Sequence, residues 1–446
     1  MGAVLVWGAC SVLVQIGQVQ AEEPKKTREQ KVREDREKHE ARGYWIYNDL
    51  VKGFAESQQS GKPMIVILRC LPCEECVKLD DELMDNDPAL RPLLDKFVRV
   101  RVVGTNGLDL SLFQFDTDQS FTAFLLNADG TIYGRFGTRS HRTEWIGDVS
   151  LEGMAQALEG ALELHADFPA NKASLAAKRG PKPEIASPEL FPELKEKYTS
   201  TLNYKGNVVQ SCIHCHQIGD AQRDMIRSRR QPIPDQVLFP YPHPKALGMV
   251  LNPKERATVT EVTAESLAAK AGFRAGDRIE TLAGQPILSM ADVQWVLHQT
   301  DAAGGSVNAQ IQRGGKSVPV TLKLPAGWRR LDDIAWRSSS WGLRRMATGG
   351  LFTVAMTPEE RKAAGVPESG MALLVKHVGQ YGPHATAKQA GFQNGDIITE
   401  FDGRSDLSRE ADLLAHGVTQ HFPGDTVKVK ILRGGQPRQM TLPLQK

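Results

Sequence analysis

Short apolar runs alternate with amphipathic stretches in the first third of the chain. Residues 45–59 repeat apolar positions at helical spacing, whereas residues 64–68 are an unbroken apolar run of the kind found in buried strands. Further predicted elements are a strand at 97–103, a strand–turn–strand unit at 122–136 and an amphipathic helix at 151–164. Helices and strands in this order predict an α/β domain over residues 43–165.

One sequence unit occurs twice in the second half of the chain. Residues 270–279 (KAGFRAGDRI) recur as residues 389–398 (QAGFQNGDII), and Arg313-Gly314-Gly315 recurs as Arg433-Gly434-Gly435. The offsets between the copies are 119 and 120 residues. Two matches in the same order at nearly one offset predict a domain duplication. The predicted copies occupy residues 239–326 and 335–446.

The first 21 residues differ from all that follow. They are nearly uncharged and apolar, end in Val19-Gln20-Ala21, and give way to strongly charged sequence at Glu22. This pattern predicts a secretory signal over residues 1–21, removed on export to the periplasm, the cell envelope or the extracellular space. No later stretch is apolar enough to cross a bilayer, so we expect no transmembrane segment after signal cleavage.

Three stretches lie outside the predicted domains. Residues 22–42 are densely charged with both signs, which predicts a solvated helix or a disordered segment. Residues 166–200 are rich in Pro, Ala and Lys, which predicts a linker. Residues 201–238 form a short segment around a pair of cysteines.

Length and charge narrow the classes of function. A chain of 446 residues suggests about three domains. With 55 basic and 53 acidic residues the formal net charge is +2, which gives no reason to expect nucleic acid or an anionic membrane as a partner.

Signal removal would leave five cysteines in two short clusters. The first cluster holds Cys70, Cys73 and Cys76, and the second holds Cys212 and Cys215. A disulfide framework would spread cysteines along the chain, so this clustering favours local chemistry in an oxidising compartment.

Cys73 and Cys76 form a Cys-x-x-Cys motif where the predicted buried strand gives way to a helix. A cysteine at a helix N-terminus has a lowered pKa, because the amide donors and the helix dipole stabilise its thiolate. We therefore predict Cys73 as the nucleophile and Cys76 as the thiol that resolves the mixed disulfide. Glu74 and Glu75 oppose this effect, because nearby negative charge raises the pKa of a thiol, and they favour a reducing dithiol.

Cys70 is a third thiol, at the end of the predicted strand. It could hold Cys73 in a disulfide, or the three sulfurs could bind a soft metal such as Cu(I) or Zn. Spacing alone leaves redox exchange, an inert disulfide and a metal site open, and it favours redox exchange.

Residues 43–165 resemble thioredoxin-like proteins. The pattern that carries the resemblance is Gly61-Lys62-Pro63, an apolar strand, and then Cys73-Glu74-Glu75-Cys76-Val77-Lys78-Leu79-Asp80. The resemblance implies a thiol–disulfide oxidoreductase site at Cys73 and Cys76. The position where thioredoxins carry a cis-proline corresponds to Phe121, which favours a trans peptide and altered substrate docking.

The second cluster, Cys212-Ile213-His214-Cys215-His216, is a Cys-x-x-Cys-His motif. This is the signature of covalent c-type haem attachment, in which two thiols bond the haem vinyl groups and the adjacent imidazole binds the iron. It predicts haem bonds at Cys212 and Cys215, with His216 as the iron ligand. The alternatives are a local disulfide and a zinc site that uses Cys212, Cys215, His214 or His216. Candidates for the sixth iron ligand are Met225, His243 and Met249.

The two cysteine clusters could also act together. A Cys-x-x-Cys-His motif oxidises easily outside the cell, and a reducing dithiol on the same chain could keep it reduced for haem loading. Linkage within one chain would raise the effective concentration of the two dithiols.

The repeated unit resembles bacterial PDZ domains. Their marker, Ala-Gly-Leu/Phe-x-x-Gly-Asp-x-Ile, matches residues 271–279 and 390–398. The resemblance implies that each unit binds an extended peptide as an added strand, with the C-terminal carboxylate held by backbone amides of a Gly-containing loop. The implied loops are Leu247-Gly248-Met249-Val250 and Gly349-Gly350-Leu351-Phe352, with flanking helices at 291–299 and from Ala411 onward. The alternative is that the domains fold but their grooves are occluded.

The complete architecture resembles a family of exported bacterial thioredoxin-like/PDZ (seleno)proteins. The predicted fold class is multi-domain, with an α/β thioredoxin-like domain and two β-rich PDZ domains built as partly open barrels with helices. The predicted function is an exported thiol–disulfide redox protein whose PDZ pair binds protein or peptide C-termini, with covalent haem c as a further expectation. The alternatives are a non-catalytic PDZ scaffold with a structural disulfide and a haem c electron carrier. No Gly-x-Ser-x-Gly motif is present, so a serine protease is not expected.

Overall fold

The computed structural model describes residues 26–69, 87–119, 121–138 and 149–444. The predicted signal sequence and the segment that holds Cys70, Cys73 and Cys76 lie outside these residues. Within the described ranges, no helix has both the length and the apolar character needed to cross a membrane.

The N-terminal α/β domain is built on one mixed sheet. Its strands are β1 (Ile46–Tyr47), β2 (Met64–Arg69), β3 (Val98–Val103), β4 (Phe121–Leu126) and β5 (Ile132–Thr138). Its helices are α1 (Arg28–Arg42), α2 (Leu50–Ser60), α3 (Arg91–Leu94) and α4 (Leu151–Ala166). The strand order is β1-β3-β2-β4-β5; β1, β2 and β3 are parallel, and β4 and β5 are antiparallel to their neighbours. The predicted strands and hairpin are confirmed.

Both faces of this sheet are covered, which explains the unbroken apolar run in β2. Every residue from Met64 to Arg69 is buried. Alternate residues of β2 belong to two separate apolar clusters, one containing Val66 and Phe124 and the other containing Ile67 and Leu158. A strand buried on both faces needs apolar side chains at consecutive positions rather than at every second one.

Helix α1 accounts for the charged segment before the domain. Thr27 is its N-cap, and Gln30 N donates to Thr27 Oγ1 at 3.2 Å. Although the helix is highly charged, it buries Val32, Asp35 and His39. The sequence showed no apolar face because two of these three buried residues are polar.

Residues 166–200 are packed structure rather than the linker that their composition predicts. They include α5 (Lys172–Leu175) and two 3₁₀ turns, Ala176–Lys178 and Pro188–Leu190. Leu175, Phe191 and Leu194 are buried in the apolar clusters of the α/β domain. These widely spaced apolar residues hold the segment on the domain, and their spacing follows neither a helical nor a strand period.

The Cys-x-x-Cys-His segment is followed by α6 (Cys215–Ser228) and α7 (Asp235–Leu238). Ile213, Ile218 and Met225 join an apolar cluster of the α/β sheet. Residues 213–225 therefore pack on the α/β domain, whereas Ile233 and Leu238 join a separate cluster with Leu343 and Leu414.

Two β-rich domains form the rest of the described chain. The first contains β6 (Met249–Leu251), β7 (Val259–Val262), α8 (Leu267–Ala271), β8 (Arg278–Leu282), β9 (Gln285–Pro286), α9 (Met290–Gln299), β10 (Gly305–Arg313) and β11 (Lys316–Leu324). The second contains α10 (Ser340–Thr348), β12 (Leu351–Ala355), α11 (Pro358–Ala363), β13 (Leu373–Val378), α12 (Thr386–Gln389), β14 (Ile397–Phe401), α13 (Glu410–Gln420), β15 (Thr426–Arg433) and β16 (Gln436–Pro443). In the first domain β6 pairs with β7, and β11-β10-β8-β9 form a second sheet; in the second, β12 to β16 form one sheet in chain order. The predicted duplication therefore gives two domains of similar construction.

The repeated sequence markers meet in each β-rich domain as an ion pair with a buried aspartate. Arg313 binds both carboxylate oxygens of Asp277 at 2.7 Å. Arg433 binds Asp396 in the same way, at 2.6 and 2.7 Å. Both aspartate side chains are fully buried. The Gly-Asp and Arg-Gly-Gly motifs recur together because they supply the two halves of one contact.

Buried polar contacts join the domains. Helix α9 is buried along most of its length and packs on β5. Lys178 Nζ lies 2.9 Å from Asp292 Oδ1, and both side chains are fully buried. Arg337, shortly before α10, lies 2.6 Å from Asp116 Oδ1 of the α/β domain. Each β-rich domain is therefore tied to the rest of the chain by a buried ion pair.

Candidate functional site

The carboxyl ends of β2 and β3 form the sheet edge at which the first cysteine segment begins. Arg69, the last residue of β2, lies in register with Val103, the last residue of β3. Cys70 follows Arg69 directly in the sequence, and residues 70–86 lie outside the described part of the chain. Functional sites of parallel α/β sheets are typically built at this edge.

A buried charged cluster lies next to this edge. Arg69 is completely buried and forms an ion pair with Asp35 of α1. Tyr47 Oη donates to Asp35 Oδ2 at 2.8 Å, and His39 Nε2 lies 3.4 Å from Asp35 Oδ1. Burial opposes ionisation of Asp35, but the hydrogen bond with His39 and the charge of Arg69 outweigh it, so its pKa lies well below the usual value. Helix α1 therefore neutralises the arginine that precedes the cysteine segment.

The second cysteine cluster lies at the same edge. Gly104 directly follows β3, and a Cβ placed on it would come within 2.7 Å of Cys212 Sγ. Its φ of +85° lies in the left-handed region that favours glycine. The Cys212 sulfur therefore lies beside the end of β3, one strand away from Arg69, the residue that precedes Cys70.

Hydrogen bonds to the loop after β3 hold this segment in place. Thr105 N and Thr105 Oγ1 both donate to Ile213 O at 3.0 Å. Asn106 Oδ1 accepts from Ile213 N at 2.9 Å, and Asn106 Nδ2 donates to Ser211 O at 2.9 Å. The loop thus binds the backbone on both sides of Cys212.

Burial suppresses ionisation of both cysteines in this segment. Cys212 is 6% exposed, and Cys215 is the first residue of α6; both are free thiols in this structure. Burial raises the pKa of each thiol to about 12, and for Cys215 it outweighs the opposing hydrogen bond from the residue's own backbone N–H. The pair is therefore protonated, and a poor nucleophile, near neutral pH.

His216, the predicted iron ligand, lies in the first turn of α6. Its Nδ1 is 3.5 Å from Asp220 Oδ2, and its side chain is 42% exposed. Burial lowers the pKa of His216, but the Asp220 carboxylate outweighs burial and the pKa is raised. The ring of His214 lies parallel to it, with centroids 6.0 Å apart, and burial lowers the pKa of His214 to about 4. His216 is thus the more basic of the two imidazoles.

The described arrangement does not fit a haem bonded to both cysteines. Covalent attachment requires open space beside both sulfurs, whereas Cys212 lies against Gly104 and Cys215 packs with an apolar cluster of the α/β domain. A cavity of about 490 Å³ lies along α6. Residues of α6 from Ile218 onward help to line it, but Cys212, Cys215 and His216 do not. Haem attachment would require the segment to leave the sheet edge. The haem stays a prediction from the motif, which a Soret band in the exported protein would test.

The other predicted ligands of the motif are separated by the fold. Met225 lies in the apolar cluster of the α/β domain and Met249 in the core of the first β-rich domain. His243 is 1% exposed, and its Nδ1 accepts from Lys245 N at 3.1 Å. Over the described ranges, the motif's cysteines and histidines do not bring three ligand atoms together as a zinc site requires.

The first predicted peptide-binding loop, residues 247–250, leads into β6. Gly248 ends a 3₁₀ turn with φ +82°, and its N–H donates to Lys245 O at 2.9 Å. The Gly248 carbonyl accepts from Thr263 N at 2.8 Å. Leu247 and Met249 are buried in the core and fix the loop on both sides.

The outer edge of β6 keeps an unused backbone donor. Leu251 pairs with Val259 of β7, but Val259 N donates to Asp277 O at 2.7 Å. This pair is therefore not hydrogen bonded, and the Leu251 N–H points away from β7. Outside the strand ladders, no backbone carbonyl of the described residues accepts from this N–H. An extended peptide can add to such an edge.

Internal contacts occupy the corresponding edge of β12. Thr353 pairs with Val375, whose N–H donates to Asp396 O at 2.8 Å, so the Thr353 N–H also points outward. It donates to Glu410 Oε1 of α13 at 2.8 Å. Arg344 of α10 binds both oxygens of Glu410, at 3.1 and 2.5 Å. Side chains thus occupy the edge that a peptide would extend.

The second predicted loop, residues 349–352, is engaged in the same way. Gly350 N donates to Arg344 O at 2.9 Å, and Leu351 N donates to Thr348 Oγ1 at 3.2 Å. The Arg344 guanidinium lies 4.6 Å from the centre of the Phe352 ring. The sequence allowed the alternative of folded domains with occluded grooves. In the second β-rich domain the groove is occluded.

Sequence reasoning missed Arg344 and Glu410 as the residues that close this groove. A signal for Glu410 was present in the repeat. Leu288-Ser289 of the first copy corresponds to Leu407-Ser408 of the second at the 119-residue offset, which aligns Ala291 with Glu410. Because a carboxylate in the second copy aligns with an alanine in the first, the two copies differ at the groove.

Curated relatives match part of the chain. It is 29% identical over 189 residues to a protein described as a probable periplasmic serine endoprotease, DegP-like, from Pseudomonas fluorescens, covering 42% of this chain and 37% of that protein. It is 29% identical over 148 residues to the periplasmic pH-dependent serine endoprotease DegQ from Escherichia coli, covering 33% of this chain and 28% of that protein. The chain thus spans a little over a third, or less, of these relatives.

A solved HtrA3 PDZ domain bound to a phage-derived ligand, FGRWV, also matches. It is 21% identical and covers 21% of this chain and 80% of that one, with a TM-score of 0.17.

The matches to known families fall within the three domains of the structure. The family described as thioredoxin-like matches residues 45–128, within the α/β domain. The PDZ domain family matches residues 245–324 and 354–444, within the two β-rich domains, hereafter PDZ1 and PDZ2. The predicted fold class is confirmed: this chain contains a thioredoxin-like domain followed by two PDZ domains.

Proposed function

We propose that this protein is an exported thiol–disulfide exchange protein that holds peptide clients through PDZ1. The observation that carries the proposal is the position of Cys212 Sγ against Gly104, at the sheet edge where the first cysteine segment begins. The thioredoxin-like family match supports dithiol chemistry for Cys73 and Cys76. The periplasm is the proposed location, since the two relatives above are described as periplasmic.

In the proposed exchange the Cys73 thiolate attacks a target disulfide. A bond forms between the Cys73 sulfur and one target sulfur, the target S–S bond breaks, and the departing sulfur takes up a proton. The Cys76 thiolate then attacks the Cys73 sulfur, which releases the target as a dithiol and leaves Cys73 and Cys76 as a disulfide. An external dithiol reductant restores the reduced pair.

The Cys212–Cys215 pair is the proposed internal target. Attachment to one chain raises the effective concentration of the two dithiols. Once reduced, the pair docks against Gly104 as buried, protonated thiols with pKa values of about 12, so it does not attack back. The docked dithiol is thus the stable product of the exchange.

Trapping of the intermediate tests this exchange. The purified Cys76→Ala/Cys215→Ala variant is treated with oxidised glutathione, which supplies the disulfide that is exchanged. Neither resolving thiol remains, so the Cys73 thiolate displaces glutathione from Cys212, and we expect a Cys73–Cys212 disulfide in peptide mass spectrometry. A Cys76→Ala/Cys212→Ala/Cys215→Ala variant is the matched control and should form mixed disulfides with external thiols only. A double variant in which Cys73 stays free, or bonds only to Cys70, would rule out the internal exchange.

PDZ1 is the proposed client-binding domain. The outward Leu251 N–H is available to an added peptide strand, whereas Glu410 of PDZ2 occupies the equivalent Thr353 N–H. The loop at 247–250 ends beside this edge and would receive the peptide carboxylate. One chain is therefore expected to bind one peptide.

A labelled FGRWV peptide tests this assignment, because that sequence binds the PDZ domain of HtrA3. By fluorescence anisotropy we expect one peptide per wild-type chain and none when the peptide C-terminus is amidated. The Arg344→Ala/Glu410→Ala variant frees the Thr353 N–H without leaving a buried charge, and it should bind two. The exposed pair Arg404→Ala/Asp406→Ala, in the same domain, is the control and should bind one. Two peptides on the wild type, or one on the groove variant, would contradict the assignment.

A further inference from the structure

Three side chains of PDZ2 converge at the C-terminal end of α13. His416 Nε2 lies 2.9 Å from Asp402 Oδ2, and His421 Nε2 lies 2.8 Å from the same oxygen. These three ligand atoms all lie within 4.8 Å of one another. Asp402 is 36% exposed, and the two histidine side chains are 11% and 15% exposed, so the cluster is accessible from solvent.

We propose that Asp402, His416 and His421 bind a Zn²⁺ ion. Two imidazoles and one carboxylate are ligands that zinc takes in proteins, with a fourth position left for water. Imidazole ligands also disfavour Ca²⁺ and Mg²⁺, which take oxygen ligands. Zinc bonds of about 2.0–2.2 Å place neighbouring ligand atoms roughly 3–3.6 Å apart, so the two distances from Asp402 Oδ2 to the imidazole nitrogens would lengthen by a few tenths of an ångström.

The backbone already fixes two of the ligands. Asp402 occupies a tight turn after β14 with φ +55°, and its N–H donates to Lys428 O at 2.9 Å. His416 is held on α13, where its ring also packs edge-on against Phe401 at 6.2 Å between centroids. Little chain ordering would therefore be needed on metal binding.

A second carboxylate is placed to orient His421. Its Nδ1 lies 4.0 Å from Asp425 Oδ2, and Phe422 N donates to the same oxygen at 2.8 Å. Histidines that bind metal through one ring nitrogen usually donate the other N–H to a carboxylate or carbonyl. With Nε2 on zinc, the Nδ1–H of His421 would face Asp425.

Room for the fourth ligand lies beside the cluster. His416 borders a cavity of about 490 Å³ whose other lining residues include Arg404, Asp412 and Thr419. This cavity would admit water to the metal. The proposed ion would clamp the turn after β14 to the end of α13, at a site that uses none of the cysteines.

Zinc stoichiometry of the full chain tests the site. Metal-free protein is dialysed against Zn²⁺, and bound zinc is counted by mass spectrometry of the metal for wild type and variants. Because the cysteines can also bind zinc, the number of zinc ions per chain is compared between wild type and each variant. We expect the Asp402→Asn variant to hold one zinc fewer per chain, or to bind it at least about tenfold more weakly.

Asp402→Asn is the main variant because asparagine matches aspartate in shape and tolerates a positive φ. His421→Gln should lose the same zinc, which provides a second, independent removal of a ligand. His377→Gln, an exposed histidine of PDZ2 outside the cluster, is the matched control and should keep it. Equal zinc in wild type, Asp402→Asn and His421→Gln, or loss of zinc in His377→Gln, would overturn the proposal.

Discussion

The Cys73→Ala variant of the full chain should reduce insulin disulfides at least about 100-fold more slowly than the wild type, with dithiothreitol as the electron donor. The reason is that the proposed exchange begins with a bond to the Cys73 sulfur, which an alanine cannot form. Insulin precipitation, followed as turbidity, measures the rate.

Two further variants make this result specific. Cys70→Ala should retain most of the activity if Cys70 is not the nucleophile, and it is the matched control because it removes a thiol three residues away. Cys76→Ala should accumulate mixed disulfides, because the resolving thiol is gone. A wild-type rate in Cys73→Ala, or a wild-type protein in which Cys73 is permanently bonded to Cys70, would leave the non-catalytic PDZ scaffold as the better explanation.

The largest expected effect on stability is that of Arg337→Met. Arg337 is completely buried, lies 2.6 Å from Asp116 Oδ1 and 3.3 Å from Asp118 Oδ2, and joins the connection between the PDZ domains to the thioredoxin-like domain. Removing it leaves the buried Asp116 and Asp118 carboxylates without their nearest counter-charge, which costs about 3–5 kcal/mol. The midpoint of urea unfolding should fall accordingly.

The pH dependence of this loss follows from Asp118. Burial opposes its ionisation, but the charge of Arg337, then that of Arg223, outweighs burial, and its pKa lies below the usual value. Its contribution to stability is therefore present above the usual aspartate pKa and is lost as the pH falls. Without Arg337 the pKa of Asp118 rises, so the gap between variant and wild type should narrow from about pH 7 toward about pH 4.

Arg330→Met is the matched control for this comparison. Arg330 binds both oxygens of Asp235 at 2.8 and 2.9 Å, but the arginine side chain is half exposed. Loss of an exposed pair costs about 0–1 kcal/mol, because water and salt already screen it. Equal falls in midpoint for Arg330→Met and Arg337→Met would show that burial of the Arg337 pair does not matter.

The two PDZ domains show how far a repeated sequence can be interpreted. The marker residues predict the same fold twice, and the Arg313–Asp277 and Arg433–Asp396 pairs show why these markers recur. The markers do not report on the groove, because Arg344 and Glu410 lie outside them. Two copies with one fold therefore differ at the edge that binds a peptide.

The domain content, the strand in residues 64–68 and the helices beside the grooves could be predicted before folding was known, because they depend on local periodicity and on short motifs. Three findings required the folded molecule: residues 166–200 pack on the domain, Cys212 docks beside Gly104, and Glu410 closes PDZ2. These outcomes depend on contacts between residues far apart in the chain. At Gly104 the absence of a side chain is what lets Cys212 approach, and the local sequence does not indicate which residue fills that space.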